Sequence, residues 1–197
     1  MEEIFTKEEI DEALNVKGEA RGIAIKEHLD FILKEKGESE LKKLEDFLKK
    51  FGCPGYKEIK PMSFYPLKFY ALTLLGINKI FGFGPEEFEK MGRFNAKFSI
   101  VIRLLMKYLI SLDTAARQVP KMWRRYYSVG ELKVIEYSKN ERYVTIRLEN
   151  FRPHPMYCYM VKEYLSELLE IIVKNPVRCE RAKCDKGNGY HEFLLKW

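Results

Sequence analysis

The chain has 197 residues, of which 46% are hydrophobic and 14% are aromatic, so it is long and apolar enough for one well-packed domain. Its 35 basic and 29 acidic residues give a formal net charge of +6. Because these charges are interspersed, they allow an anionic partner without indicating nucleic acid. The opening residues Met1-Glu2-Glu3 lack the basic and apolar regions of a secretory signal, and we therefore expect a cytoplasmic protein.

Regular apolar spacing predicts helices in the first part of the chain. The pattern covers residues 4–15, 18–36 and 39–51, each with apolar side chains that would pack on one face. The segment Gly52-Cys53-Pro54-Gly55 breaks the pattern. Residues 1–60 are therefore predicted to form a mainly helical N-terminal part.

Prolines mark the next helices. Pro66 is expected to open a helix that runs through Gly76, and Pro85 opens another in which Glu86 and Glu87 face the positive end of the helix dipole. We expect the helix from Pro85 to reach about residue 112.

The longest apolar stretch, residues 98–112, belongs to that helix. Arg103 and Lys107 interrupt it with a spacing of four, which places both cations on one helical face. The stretch is therefore predicted to be amphipathic and not to span a membrane. A further helix over 113–126 is expected to bend or divide at Pro120.

The hydrophobic period changes after Gly130. Residues 132–137 and 143–148 are rich in β-branched and aromatic side chains, which predicts a hairpin. A helix over 155–174 follows, and the turn Gly187-Asn188-Gly189 then predicts a second hairpin. This late order, β-β-α-β-β, predicts an α+β fold in which helices pack on a small antiparallel sheet. We expect residues 1–197 to form a single domain.

Cysteine and histidine residues are concentrated near the end of the chain. In a reducing compartment the four cysteines are expected to be free thiols or ligands rather than a disulfide framework. The terminal hairpin would bring Cys184 and His191 toward each other, and both are ligands that zinc accepts. Cys179 lies five positions from Cys184, so in a regular strand it would face the other side of the sheet. Zinc is therefore possible at Cys184 and His191, and packing is the competing interpretation.

A group of cations and aromatic residues lies between positions 117 and 127. Helical spacing would align the cations on one face, beside aromatic side chains that could hold a carboxylate, a phosphate or stacked bases. The competing interpretation is a solvated helix face. The residues are Arg117, Lys121, Trp123, Arg124, Arg125, Tyr126 and Tyr127.

Several short motifs resemble a known family. The pattern Cys184-x2-Gly187-x3-His191-x-Phe193 looks like the closing hairpin of 4-vinyl-reductase-type domains and of related haem-nitric-oxide-binding-like domains, in which the place of His191 is commonly a cysteine. Pro120-x-x-Trp123 and the strand start Gly130-Glu131-Leu132 extend the resemblance. Glu89-Lys90-Met91-Gly92-Arg93 and Tyr65-Pro66-Leu67 are similar to a myxobacterial relative of unknown function.

This resemblance implies a fold shared with TRAPP-complex trafficking subunits, in which helices and a small antiparallel sheet enclose an apolar pocket. Domains of this group typically bind small hydrophobic molecules or act as sensory and assembly modules, often as dimers. The resemblance suggests Tyr157, Cys158 and Met160 as pocket-wall residues. Trp123, Arg124 and Tyr126 complete the expected ligand-binding set, in which the head group of an amphipathic acid would lie near the cations.

The haem-binding branch of the group has a helical proximal histidine and a Tyr-x-Ser-x-Arg motif for the haem propionates. The corresponding segment here, Tyr126-Tyr127-Ser128-Val129-Gly130, ends on glycine. Loss of the bidentate arginine makes haem an unlikely cofactor on this reasoning.

Catalytic motifs for phosphate, dinucleotide, acyl-transfer or metalloprotease chemistry do not occur in the sequence. We therefore expect a non-catalytic sensory or adaptor domain that binds a small hydrophobic or amphipathic molecule. One alternative is an assembly module that resembles the trafficking subunits, and another is a nucleic-acid-binding protein that uses the cationic helix. The nucleic-acid alternative predicts strongly salt-dependent binding, whereas an apolar ligand would bind with little salt dependence. A homodimer is expected in the sensory interpretation.

Overall fold

A computed structural model describes residues 4–98, 111–185 and 189–197. The chain divides into two compact units, here called the helical unit and the sheet unit. The helical unit comprises Met1–Phe88, Tyr126–Ser128 and Arg152–Tyr157, and the sheet unit comprises Glu89–Arg125, Val129–Phe151 and Cys158–Trp197.

The helical unit contains four of the predicted helices. They are α1 (Lys7–Asn15), α2 (Gly22–Lys36), α3 (Glu38–Lys49) and α4 (Leu67–Phe81). Thr6 and Glu9 form a capping box that starts α1, with the Thr6 hydroxyl accepting from the Glu9 amide at 3.2 Å. Helix α4 is buried along most of its length, from Leu67 to Ile77, and provides the apolar centre of this unit.

Two short strands precede α2 and α4. Strand β1 (Glu19–Arg21) pairs antiparallel with β2 (Phe64–Pro66). The prediction that a helix starts at residue 18 is wrong, because residues 19–21 are extended in this pair and α2 begins only at Gly22. A Cβ atom on Gly22 would lie 2.4 Å from the carbonyl oxygen of Lys60, so the close approach of these segments requires glycine at this position.

The remaining described helices are α5 (Pro85–Phe98), α6 (Leu112–Tyr126) and α7 (Tyr157–Val173). The predicted continuation of α5 to residue 112 falls at 99–110, outside the described residues. Helix α6 is continuous and contains Pro120, so it is not divided into two helices there. Within the sheet unit, Ala96, Ala115 and Leu168 bring α5, α6 and α7 together in a buried apolar cluster.

The sheet has four antiparallel strands in the order β3-β4-β6-β5. They are β3 (Glu131–Ser138), β4 (Tyr143–Glu149), β5 (Arg178–Asp185) and β6 (Tyr190–Lys196). The central pair, β4 and β6, has a regular register. The β3–β4 pair has a register shift between Val134 and Glu136, and the β5–β6 pair has one between Cys179 and Arg181.

The predicted order β-β-α-β-β is confirmed, and the fold is α+β. The alternation along β6 buries His191, Phe193 and Leu195 and leaves the residues between them half-buried, as expected for a sheet with one face on a core. Among the described residues, every helix is too short or too polar to cross a bilayer.

Candidate functional site

An apolar cavity lies in the sheet unit and is partly open to solvent, with a volume of about 30 Å³. It lies between α6, α7 and the strands β3 and β4. The lining side chains are aliphatic: Leu112, Ala115, Ala116, Val119, Val134, Val144, Ile146, Leu165, Leu168, Leu169 and Ile172. A cavity with such walls favours an apolar occupant over water, because water needs polar partners.

The local sequence explains how this cavity forms. Four lining residues of α6 follow the i, i+3, i+4, i+7 spacing of one helical face, and two of them, Ala115 and Ala116, are small. Leu165, Leu168 and Ile172 place the corresponding face of α7 opposite. Space therefore remains beside the two alanines. The walls of the cavity are helices and strands rather than loops.

Three of the predicted ligand-binding residues, Trp123, Arg124 and Tyr126, lie outside the lining of the apolar cavity. Trp123 is buried, donates from Nε1 to the carbonyl oxygen of Val129 at 3.1 Å and packs its edge against Phe151 at 4.8 Å. The Arg124 side chain is 71% exposed and lies 3.6 Å from the Glu131 carboxylate, and Tyr126 is half-buried. None of the three is among the residues that line the apolar cavity, so their role in ligand binding stays a prediction.

Tyr157 belongs to a buried aromatic cluster in the helical unit. Its ring lies 6.3 Å from that of Tyr70, which also contacts Tyr127 at 6.3 Å and His28 at 4.8 Å. Burial lowers the pKa of His28 to about 3 and raises the pKa of Tyr70 well above its usual value. These side chains are therefore neutral at physiological pH. No periodic pattern in the sequence indicates this cluster, since its members come from four separate segments.

Met160 lies at a close contact between α5 and α7. It is buried, and its carbonyl oxygen would lie 2.1 Å from a Cβ atom on Gly92. The backbone of α7 therefore approaches α5 so closely that only glycine fits. The predicted role of Met160 as a pocket-wall residue is not supported by contact with the apolar cavity.

Cys158, Cys184 and His191 form a second candidate site, here called the thiol–imidazole cluster. A disulfide joins Cys158 to Cys184, with their Cα atoms 6.4 Å apart. The two sulfur atoms and a ring nitrogen of His191 all lie within 4.8 Å of one another. Cys184 pairs directly with His191 across β5 and β6, so the prediction that the hairpin brings these two residues together is confirmed.

Two expectations about the cysteines are wrong. The expectation was that all four cysteines are free thiols or ligands, and the disulfide departs from it because the first turn of α7 brings Cys158 to β5; Cys53 and Cys179 remain free. The register shift in β5 also removes the strict alternation between Cys179 and Cys184. Their partners Leu195 and His191 are four positions apart on β6 and share a face. Cys179 is instead separated from the cluster by distance along the strand, about 14 Å for four positions of the partner strand.

His191 is fixed by a backbone group of the same unit. The residue is 4% exposed, and its Nε2 lies 3.2 Å from the carbonyl oxygen of Phe151. A carbonyl oxygen only accepts hydrogen bonds, so this contact requires the proton on Nε2 and leaves the lone pair on Nδ1. Burial raises the pKa of the separate Cys53 thiol to about 12, which makes that thiol unreactive.

No family model matches the sequence, and no curated protein matches it. Solved structures of H-NOX proteins do match the fold. The Fe(II) unliganded protein from K. algicida is 12% identical, with 89% of this chain and 95% of that chain covered and a TM-score of 0.64. The Fe(II)NO form from S. oneidensis is 10% identical, with 89% and 98% covered and a TM-score of 0.65.

A mutant H-NOX protein from T. tengcongensis is 16% identical, with 89% of this chain and 96% of that chain covered and a TM-score of 0.60. At such identities the likeness shows the fold alone. It supports the haem-nitric-oxide-binding-like part of the sequence resemblance, and it does not support the 4-vinyl-reductase, TRAPP-like or myxobacterial parts.

The expectation that haem is an unlikely cofactor is corrected by these neighbours. They include Fe(II) forms of H-NOX proteins, and another neighbour comes from a study of heme redox potential and porphyrin distortion. The absence of the motif arginine is therefore compatible with a fold that haem proteins also have.

The apolar cavity of the sheet unit does not accommodate haem in this structure. His28, His154 and His191 are the three histidines of the chain, and none lines the apolar cavity, whose volume of about 30 Å³ is far below that of a porphyrin. Gly130 has a φ of +78°, and a Cβ atom there would lie 2.8 Å from Cβ of Phe151. An arginine at this position does not fit.

Proposed function

We propose that this chain is a non-catalytic sensory domain that binds a small apolar or amphipathic molecule. The observation that carries the proposal is the aliphatic cavity between α6, α7 and the sheet, in a fold shared with H-NOX proteins. Pockets with few polar groups select ligands by shape and apolar contact. Haem is an apolar macrocycle with carboxylate groups, so it belongs among the ligands to be tested.

The size of the cavity determines which ligands it accepts without movement of its walls. At about 30 Å³, it accepts a diatomic molecule or a single large atom without rearrangement, since one water-sized probe occupies roughly 10–15 Å³. A larger ligand requires α6 and α7 to move apart. Because both helices form walls, their displacement would carry the signal, as a ligand can shift a conformational equilibrium by its difference in affinity for the two states. A homodimer would provide a second surface that responds to this displacement.

Exposed cations on α6 favour a second candidate function, the binding of an anionic partner. Arg117, Lys121 and Arg124 are all exposed, with helical spacings of four and three. The aromatic part of a nucleic-acid site is weaker, because the Trp123 ring is buried against Phe151 and is not available to stack on a base. The assembly-module alternative rests on the sequence resemblance alone.

Xenon titration followed by methyl NMR tests the cavity proposal. We expect xenon to shift the methyl resonances of Val134, Val144, Ile146 and Leu165, and Ala115→Leu to remove these shifts by filling the cavity. Ala182→Leu is the matched control, because Ala182 is exposed on β5. Absence of the shifts in the unmodified protein, or equal shifts in both variants, would contradict the proposal.

Native mass spectrometry of the purified chain extends the test to larger ligands. Mass that is lost on denaturation identifies a bound molecule, and titration with haemin followed by its absorption spectrum tests haem directly. Binding that weakens steeply with salt would favour the anionic partner over an apolar ligand.

A further inference from the structure

The outer face of the β1–β2 pair exposes apolar side chains to solvent. We propose that this face, here called the ribbon face, docks on the surface of an anionic lipid bilayer. The ribbon face consists of Arg21, Met62, Phe64 and Pro66. Met62 is 59% exposed and Phe64 is 40% exposed, and Pro66 is also exposed. Apolar side chains grouped in this way mark an interaction surface more often than single exposed ones do.

The pairing of the two strands explains why these side chains point outward. Ala20 on β1 is fully buried and pairs with Tyr65 on β2, so this pair faces the core of the helical unit. Successive side chains of a strand point to opposite faces, and Phe64 and Pro66 therefore point to solvent. A sheet face that contacts water is expected to carry polar side chains, and β2 places apolar ones there.

Cations lie directly against these apolar side chains. The guanidinium carbon of Arg21 lies 3.9 Å from the centre of the Phe64 ring, and Nη1 donates to the carbonyl oxygen of Met62, so one cation joins the two apolar residues. Lys60 is exposed shortly before Met62, in a turn where the Ser63 amide donates to the Lys60 carbonyl oxygen at 3.1 Å. Positive charge and apolar area therefore occupy the same end of the ribbon face.

The acidic side chains nearby leave this end of the ribbon face positive. Glu19 is the acidic residue of the two strands and lies opposite Pro66, at the end away from Met62. The Glu58 carboxylate accepts from the Gly55 amide at 2.7 Å and so caps that turn. An anionic surface would therefore meet cations at the Met62 end, and the net charge of +6 adds a long-range attraction.

A bilayer fits this surface better than a protein strand does. Strand β2 has three residues and ends on Pro66, which has no amide hydrogen, so an incoming strand would find few backbone partners. In a bilayer, Met62 and Phe64 would enter the boundary between head groups and acyl chains, while the two cations remain at the level of the lipid phosphates. The contact is small, so we expect reversible peripheral binding. The ribbon face shares no residue with the wall of the apolar cavity, so docking does not depend on a ligand there.

Vesicle flotation of the full chain tests the docking surface. The vesicles consist of phosphatidylcholine alone or of equal parts of phosphatidylcholine and phosphatidylserine. We expect binding to the mixed vesicles to be at least about tenfold tighter, because each cation near an anionic surface contributes about fivefold, and to weaken as salt screens the attraction. Spin-labelled lipid in the mixed vesicles should broaden the methyl resonance of Met62. Equal binding to both kinds of vesicle, or no binding to the mixed ones, would contradict the proposal.

Two double variants separate the ribbon face from exposed apolar residues elsewhere. Met62→Ser with Phe64→Ser removes the apolar side chains of the ribbon face. Ile135→Ser with Tyr159→Ser is the matched control, because these residues are 44% and 40% exposed and lie in the sheet unit. We expect the first variant to bind mixed vesicles at least about tenfold more weakly and the control to bind them unchanged. Circular dichroism confirms that both variants are folded.

Two other outcomes would overturn the proposal. Equal losses in the two variants, or full binding by the ribbon-face variant, would assign vesicle binding to another surface, such as the cations of α6. Sedimentation velocity provides the second check. A dimer that the ribbon-face variant loses, in a protein that does not bind vesicles, would assign this face to a second copy of the chain.

Discussion

Gly130 shows how one backbone position organises its surroundings. Its φ of +78° lies in the region that favours glycine, and an added Cβ atom would lie 2.8 Å from Cβ of Phe151 and 3.2 Å from the carbonyl oxygen of Glu149. Phe151 in turn packs on Trp123 and provides the carbonyl oxygen that His191 contacts. The glycine that replaces the arginine of the haem-binding motif is therefore required by packing in this chain.

Replacement of Gly130 by alanine should destabilise the protein more than the same change at Gly82. Both glycines have positive φ, but Gly82 has no neighbour within 4 Å of an added Cβ atom, so Gly82→Ala reports the strain of a left-handed residue alone. We expect about 1 kcal/mol for Gly82→Ala and about 2–4 kcal/mol for Gly130→Ala, which adds a collision to the strain. Urea unfolding measures both values. Equal losses would show that Phe151 moves aside freely.

Residue-level predictions from sequence succeeded where local geometry controls the outcome. The Asn-Gly turn was sufficient to predict that Cys184 meets His191, because a hairpin register follows from its turn. The position of Cys158 beside Cys184 depends on how α7 packs on β5, and no local sequence pattern predicts that packing. The prediction for Cys179 failed because one extra residue in a strand reverses every face assignment beyond it.

At the scale of elements, α5 and α7 are held together by a close backbone contact flanked by ion pairs. Gly92 allows the contact. The ion pairs are Lys162 with Glu89 at 2.6 Å, Arg93 with Glu163 at 3.3 Å and Lys97 with Glu167 at 3.4 Å. The motif from Glu89 to Arg93, which the sequence marked only as a resemblance, thus has a physical explanation.

Gly92→Ala should show how much the close backbone contact, as distinct from the ion pairs, stabilises the packing of α5 on α7. The new Cβ atom would lie 2.1 Å from the carbonyl oxygen of Met160, and backbone cannot rotate away as a side chain does. We expect a loss of about 2 kcal/mol or more in the free energy of unfolding, although alanine favours helix by about 1 kcal/mol. Lys97→Ala is the comparison, because its partly exposed ion pair should contribute less than about 1 kcal/mol. A stable Gly92→Ala protein would contradict the close contact.

Long helices and both hairpins of the sheet were predictable because their hydrophobic periods extend over many residues. Strands β1 and β2 were not, since three residues are too few to show an alternation. The position of β1 depends on its distant partner β2, and its sequence Glu19-Ala20-Arg21 also fits the start of a helix.

At the scale of the whole molecule, neither compact unit is a continuous piece of chain. The helical unit includes Tyr126–Ser128 and Arg152–Tyr157, both of which are flanked by segments of the sheet unit. The first of these is held by Ser128, whose amide donates to the carbonyl oxygen of Glu19 at 3.0 Å and whose hydroxyl accepts from the Glu19 amide at 2.7 Å. Neither unit could therefore be removed by a single cut of the chain.

Thermal unfolding should consequently occur in one transition, as a single domain over residues 1–197 requires. We expect the calorimetric enthalpy to equal the van't Hoff enthalpy, the usual sign of two-state behaviour. The measurement is differential scanning calorimetry of the full chain with the disulfide intact. Two resolved transitions would show that the units unfold independently and would contradict the single-domain prediction.

The register shifts in the outer strands have a consequence for self-association. Strands β3 and β5 form the two edges of the four-stranded sheet, and each contains an irregularity, whereas the central β4–β6 pair is regular. A bulged edge with charged residues such as Lys133 and Glu180 is a poor template for another strand, because it interrupts the row of backbone groups that an incoming chain must match. The irregular edges thus disfavour lateral extension of the sheet into a larger sheet or a fibril.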